Sequence, residues 1–344
     1  MSQRVTIRDI AQTANVHHTT VSRALRGDRQ IPEATRERIR EIAHAMGYAP
    51  DPALSALMSY RSSKRRKSYR AALAWVTNYS TRQGWFMDEK VGYYVGAKRR
   101  AAELGYSLDE FWLNEPGVNG RRASAILSAR GIQGLIFLPQ PRARAHIRLD
   151  WNRFSALTIS HTLNSPHLHV VTNHHFRSMA LLMRKIRSLG YRRPGFVCLQ
   201  RIHESVDRAW AAAFGVYQRE PFQKQIPLFL HREDTSAWFD AFAAWVRLHR
   251  PDVVVAHGAA AIEWLARLGL EIPRDIGLAA AAVHGLPSFC SGIDENNETV
   301  GALAVDLVVE MIHKNQTGIP QTPVTTLVEG TWVDGSTLLE RRPR

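Results

Sequence analysis

The side chains best suited to chemistry in this sequence crowd into one short stretch, His17-His18-Thr19-Thr20-Val21-Ser22-Arg23. Two imidazoles, three hydroxyls and a guanidinium put many hydrogen-bond donors and acceptors on roughly two helical turns. An α-helix fits the major groove of DNA, and its N-terminal residues reach base edges. His17, His18 and Thr19 would be those residues, with Arg23 one turn further along. Thr6, His17, Thr20 and Ser22 are better placed for phosphates, which position a protein without specifying a sequence. A zinc site at His17-His18 is disfavoured, because neighbours on a helix point apart.

Three short helices must hold that stretch in place. Ile7, Ile10, Ala11 and Ala14 recur at helical spacing, and Thr6 and Asp9 have the spacing of a capping pair. Asn15 suits a left-handed turn between helices. The second helix carries Val21, Ala24 and Leu25 on one face and ends near Gly27. Pro32 opens the third, whose inward face is Ile39, Ile42, Ala43 and Met46, with Gly47 as its stop. A short apolar segment (Leu54, Leu57, Met58) and a basic run, RSSKRRKSYR at 61–70, follow as a linker.

Charge agrees with a polyanionic partner. The chain carries a net +14, and residues 1–70 hold 14 Lys and Arg against six Asp and Glu. From residue 71 the pattern changes to apolar strand-like runs alternating with amphipathic helices. The strands are Ala71–Val76, Leu135–Leu138, Ala156–Ile159, Gly195–Leu199, Val253–Ala256 and Ile276–Ala280. The helices include Val91–Leu104, Ser178–Leu189, Val206–Arg219, Trp238–Leu248, Ala259–Leu268 and Val300–Lys314, and a strand pair (Val324–Val328, Thr331–Val333) closes the chain. This β-α-β order predicts parallel sheet with helices on both faces.

The ordered set Thr6, Asp9, Ile10, Ala11, Ala14, Val16, Thr20-Val21-Ser22-Arg23, Ala24, Leu25, Thr35-Arg36-Glu37-Arg38 and Gly47-Tyr48 followed by Pro50 resembles the headpiece of the LacI/GalR family of transcriptional regulators. The resemblance implies that His18, Thr19 and Arg23 read bases, Arg23 preferring guanine. It implies that 50–59 is a hinge helix whose Leu57 wedges into the minor groove. His17 departs from the family, where a small hydroxyl residue caps the second helix. Two imidazoles there would strengthen DNA binding as pH falls.

The resemblance continues more weakly as a periplasmic-binding-protein-like sensor of two α/β lobes. It implies a small-molecule effector in the inter-lobe cleft, sugar-related in the family. Arg208 matches the cleft arginine, and its planar fork suits a hydroxyl or carboxylate; a helix-surface salt bridge is the other reading. Asn78, Trp85 and Phe86 lie where the first cleft loop falls, although core packing is the commoner use of such aromatics. His257-Gly258 replaces an Asn-Asp pair, and Ala281, Ala282 and Val283 stand where an acidic residue is usual, so an ordinary monosaccharide fits poorly.

Three regions result: residues 1–48 an all-α helix-turn-helix domain, 49–70 a hinge helix and basic linker, and 71–344 a two-lobe α/β ligand-sensing and dimerisation domain. No GxSxG, HExxH, P-loop or GxGxxG stands in context, and the carboxylates are scattered, so the chain reads as no enzyme. A DNA-binding enzyme with a fused headpiece is the competing reading. Only Cys198 and Cys290 occur, and the histidines at 161, 167, 169, 174 and 175 read as a solvated loop, so no metal or other cofactor is expected. The first residues lack a signal-peptide core and no apolar run approaches the ~20 residues of a membrane span. The expectation is a cytoplasmic homodimer, a repressor, on a near-palindromic double-stranded operator.

Overall fold

A computed structural model of the 344-residue chain describes residues 5–25, 30–46, 71–86, 88–142, 145–219, 225–232 and 236–341, the side chains of 88–91 and 236 excepted. Leu57 and the rest of the expected hinge lie outside the described residues.

The N-terminal helices are α1 (Ile7–Ala14), α2 (His18–Leu25) and α3 (Glu33–Ala45). Helix α1 starts as the sequence predicts. The Thr6 hydroxyl accepts from Asp9 N, the Asp9 carboxylate accepts from Thr6 N, and Asn15 ends the helix at φ 51°. Ile10, Val21, Ala24 and Ile39 are fully buried together, with Ala11, Ala14 and Ala43 nearly so. At about 1.5–3 kcal/mol for each large aliphatic side chain buried, these contacts hold a small domain whose helices are marginal alone. Arg38 completes the packing by donating to Ala14 O at the end of α1, 2.9 Å away.

The remaining chain forms two α/β lobes. The first sheet, ordered β13-β7-β5-β3-β1-β2, contains β1 (Ala71–Thr77), β2 (Tyr106–Trp112), β3 (Gly134–Phe137), β5 (Ser155–Ile159), β7 (His169–Asn173) and β13 (Thr325–Val328), all parallel. Helices α4 (Asp88–Leu104) and α11 (Asn297–His313) cover one face and α5 (Gly120–Ala129) the other. The second sheet, ordered β14-β12-β11-β10-β8-β9, contains β8 (Pro194–Leu199), β9 (Phe229–His231), β10 (Val253–Ala256), β11 (Gly277–Ala280), β12 (Gly292–Asp294) and an antiparallel β14 (Thr331–Val333). Helices α6 (His175–Ser188) and α8 (Ala209–Gln218) cover one face, and α9 (Phe239–His249) and α10 (Ala260–Arg267) the other. A two-strand ribbon, β4 (Ala145–His146) with β6 (Leu163–Ser165), and a short α7 (Gln200–Ser205) complete the set. Strands buried on both faces explain the continuous apolar runs.

The two closing strands are not a hairpin. β13 ends in the first lobe and β14 begins in the second, with only Glu329-Gly330 between them. A Cβ on Gly330 would stand 2.6 Å from both Ile293 Cγ2 and Ser178 Oγ, so a bare backbone passes directly between lobes. Helix α11 lies against α4 closely enough that a Cβ on Gly96 would meet Glu298 O at 1.9 Å. The lobes are therefore joined at three crossings: Asn173-His174, Glu295-Asn296 and Glu329-Gly330. Of the histidines at 161–175, His161 and His167 are exposed in turn and loop as expected, whereas His169 lies on β7 and the buried His175 opens α6.

Candidate nucleic-acid interface and ligand cleft

Helix α2 presents its N-terminus outward. His17, His18 and Thr19 are exposed, while Thr20, Ser22 and Arg23 are half-buried. His17 takes the capping position: its carbonyl accepts from Thr20 N (2.9 Å) and Val21 N (3.3 Å). Its Nδ1 accepts from Thr19 N at 3.4 Å and meets Thr19 Oγ1 at 2.8 Å. The ring thus does the work of the absent capping hydroxyl. It leaves Nε2 available to a phosphate.

The two imidazoles do not point apart. Their centroids are 4.1 Å apart at 44°, because His17 lies just outside the helix and turns its ring back over His18. Among the described residues no group of three or more His, Cys, Asp or Glu has the arrangement of a metal site. Arg23 donates to Gln30 Oε1, which orients its fork along α2. Thr6 is exposed, but its hydroxyl donates to Asp9 Oδ2 at 2.8 Å, so a phosphate contact requires that bond to switch. Arg8, Gln12, Asn15, Val16, His17 and His18 line a shallow depression beside the helix start.

In parallel α/β sheets, ligands bind outside the carboxyl ends of the strands. Here those ends meet: Ser160 Oγ, after β5, reaches Ser205 O, after β8, at 3.3 Å. Ser160 (φ 71°) and, two and three residues beyond Ser205, Asp207 (φ 50°) and Arg208 (φ 61°) hold left-handed backbone without being glycine. Strain of this sort persists where surrounding structure enforces it, and it clusters at functional sites. It also divides the single helix expected over Val206–Arg219, so that α8 starts only at Ala209.

The structure sorts the expected cleft residues. Arg208 is exposed at the head of α8, and His257, 9% exposed just after β10, lies tilted at 36° against Trp210 with centroids 5.2 Å apart. Asn78 follows β1, half-buried, its carbonyl held by Asn114 Nδ2. Trp85 is a correction: it is 1% exposed and packs edge-on against Trp75 and Tyr94 in the first-lobe core, where no ligand reaches it. Phe86 is 61% exposed and lies against Trp85, so it covers that core from outside.

Several polar residues near the strand ends were not singled out from the sequence. Trp210 also meets His175 edge-on at 5.2 Å, and His175 Nδ1 lies 2.9 Å from Glu295 Oε1 across the crossing. His231 ends β9, and its Nδ1 lies 2.9 Å from Arg232 O. The only signal for it was a short apolar run, Ile226–Leu230, ending in an imidazole. Burial pushes the His231 imidazole below its ordinary value, with the neighbouring His257 acting in the same sense. His203 is pushed down too, by burial and then by Arg208.

Comparison with known proteins follows the same division. The geometry defines a helix-turn-helix domain joined to a two-lobed α/β binding domain. Residues 6–51 match bacterial regulatory proteins of the lacI family, and residues 183–337 match the periplasmic binding protein-like domain. A segment that matches the lacI-family model is thus followed in the same chain by one that matches the periplasmic binding protein-like domain. It is similar to the HTH-type transcriptional regulator PtxS of Pseudomonas plecoglossicida, 45% identical over 135 residues, 39% of this chain and 36% of that one. The probable HTH-type transcriptional repressor ExuR of Bacillus subtilis is 47% identical over 58 residues, 17% of each chain. The chain's matches thus span only about a sixth to a third of those relatives' length. Among solved structures, the regulator CelR–cellobiose complex has a TM-score of 0.57 at 17% identity, covering 97% of this chain and all of the other. The Lac repressor bound to ONPG gives 0.56 at 16% identity over the same shares. These structures share the fold. Among the described residues, no helix is long and apolar enough to cross a membrane.

Proposed function

We propose that this chain is a sequence-specific, DNA-binding transcriptional regulator, a repressor, whose hold on its operator responds to a small molecule in the inter-lobe cleft. One observation carries the reading. A separately packed three-helix domain of lacI type projects His17, His18 and Thr19 from the N-terminus of α2, with Arg23 held by Gln30 one turn behind. His18, Thr19 and Arg23 meet base edges, while His17, Thr20 and Ser22 meet phosphates. Leu57 serves as a minor-groove wedge at the centre of a near-palindromic site, read by a homodimer in the cytoplasm. Ligand in the cleft changes the relation of the lobes, and because both ligands bind one molecule their affinities are coupled reciprocally. No enzymatic step belongs to this reading.

The test is selection of duplexes from a random library by the purified full chain, followed by titration of the winner and a scrambled duplex across salt concentrations. A winner bound at least ~10³-fold more tightly than scrambled DNA supports the reading. Equal affinity for all duplexes at moderate salt, or none, overturns it.

A further inference from the structure

We propose that the exposed face of α6 and α8, in the second lobe, docks an acidic amphipathic helix of a second protein, with apolar side chains on Gly215 and Val216 and carboxylates on Arg184 and Arg187. This partner is additional to the operator and the small molecule.

Helix α8 lacks the charged side that a surface helix carries. Its sequence, AWAAAFGVYQ, holds no charged residue. Trp210, Ala213, Phe214 and Gln218 are buried, whereas Ala212, Gly215 and Val216 face solvent, Val216 at 58% exposure. Gly215 is the informative residue. A Cβ there would have no atom within 4 Å, and its φ lies outside the left-handed region. A glycine inside a helix costs about 0.5–1 kcal/mol relative to alanine, and no described neighbour requires one here. The missing side chain therefore serves an approach from outside. Beside it, Ala211, Phe214, Gly215, Ile226, Pro227 and Leu228 border a groove of about 350 Å³.

Charge selects the occupant. Residues 174–219, which include both helices, hold nine Arg and Lys against Glu204 and Asp207. Helix α6 supplies Arg177, Arg184, Lys185 and Arg187 and no acid. Glu329 matches Arg177 at 3.1 Å, and Asp334 lies 3.7 Å from Lys185. Arg184 and Arg187 are exposed and have no carboxylate partner among the described residues. Arg184 lies instead over the Tyr217 ring of α8, 5.8 Å from its centroid, and Phe176 meets the same ring edge-on at 6.5 Å. The unmatched cations thus border the apolar strip directly. A second copy of this face would set arginines against arginines, which disfavours self-association. Nucleic acid would use the arginines and leave Val216 and the groove uncovered. An acidic amphipathic helix satisfies both halves of the surface, as in helix-in-groove recognition.

Selection from a displayed library of random helical peptides tests this, run on the full chain with scrambled duplex in excess to occupy the headpiece. The expected winners carry net negative charge and an apolar stripe at helical spacing. A synthesised winner should bind Gly215→Gln, Val216→Glu and Arg184→Glu at least about tenfold more weakly than the parent. The two α8 changes place better helix formers at exposed positions, so their melting temperatures should hold or rise. Winners that are neutral or basic, winners that bind all three variants as they bind the parent, or no winners overturn the proposal. A lower melting temperature for either α8 variant also overturns it, because the chain itself would then cover the strip. So does a parent assembly that Val216→Glu breaks down in sedimentation, which would make a second copy the occupant. An Arg184→Glu protein that binds scrambled duplex about tenfold more weakly assigns the face to nucleic acid and overturns it as well.

Discussion

His175 Nδ1 stands 2.9 Å from Glu295 Oε1, both side chains 8% exposed, and the pair ties the first crossing between lobes to the second. Asn173 adds two bonds at the same place, donating to Glu295 O at 2.6 Å and Asn297 Oδ1 at 3.0 Å, and it accepts from Tyr93 at 2.8 Å. Glu295→Ala strips a buried N–H of its acceptor, which costs about 1–3 kcal/mol. Glu295→Gln keeps an acceptor oxygen and should recover most of that loss. Urea unfolding of the three proteins measures it; an Ala protein as stable as the parent would show that the bond contributes nothing to the joint.

The headpiece has so little core that one truncation should undo it. Ile10 is fully exposed to none of the solvent and packs with Val21 and Ile39. Ile10→Ala costs about 2–5 kcal/mol, a large share of what a domain this small holds in reserve. Operator affinity should collapse while the sensor's thermal transition stays where it was. A drop in the sensor transition, with the operator still bound, would contradict independent packing of the two parts.

Much of this architecture was legible because local rules and tertiary packing agree. The Thr6–Asp9 cap, the Asn15 turn, the α3 core face and the β10 strand stand where the residues put them. Short strands were not legible. β9 and β12 have three residues each, too few for an alternation to register, and so His231 went unnoticed. Trp85 misled because an aromatic in a loop after β1 can face either way, and only the positions of Trp75 and Tyr94 decide that it packs inward. The break at Asp207-Arg208 has no glycine or proline to announce it: α7 ends there, with Arg208 N donating back to His203 O at 2.9 Å. Likewise, the separation of β13 from β14 depends on which sheet each strand completes, a long-range fact.

Arg23 should behave as a base reader whose aim depends on Gln30. Arg23→Ala is expected to cost about 1–3 kcal/mol at the selected operator and to relax preference at one base pair. Gln30→Ala should cost less, because the guanidinium survives and only its orientation is loosened. Binding titrations on the operator and on single-base variants read both effects. Equal losses on operator and random DNA would mean that Arg23 meets only phosphate.

Acid should destabilise the sensor through its buried imidazoles. Burial holds His203 and His231 below the ordinary histidine value near 6.5, with Arg208 pushing His203 the same way and His257 pushing His231. The unfolded chain therefore takes up these protons at a higher pH than the native protein. Stability is fully present above about pH 6.5 and is lost progressively as pH falls through the lowered native values. Asp9 and Asp275, whose values lie below the ordinary 3.8, contribute only in stronger acid, so they do not confound this window. The melting temperature should be lower at pH 5.5 than at pH 7.5, and His203→Gln should flatten the difference. A melting temperature that rises on acidification would show that protonated imidazoles are better accommodated in the native protein than in the unfolded chain.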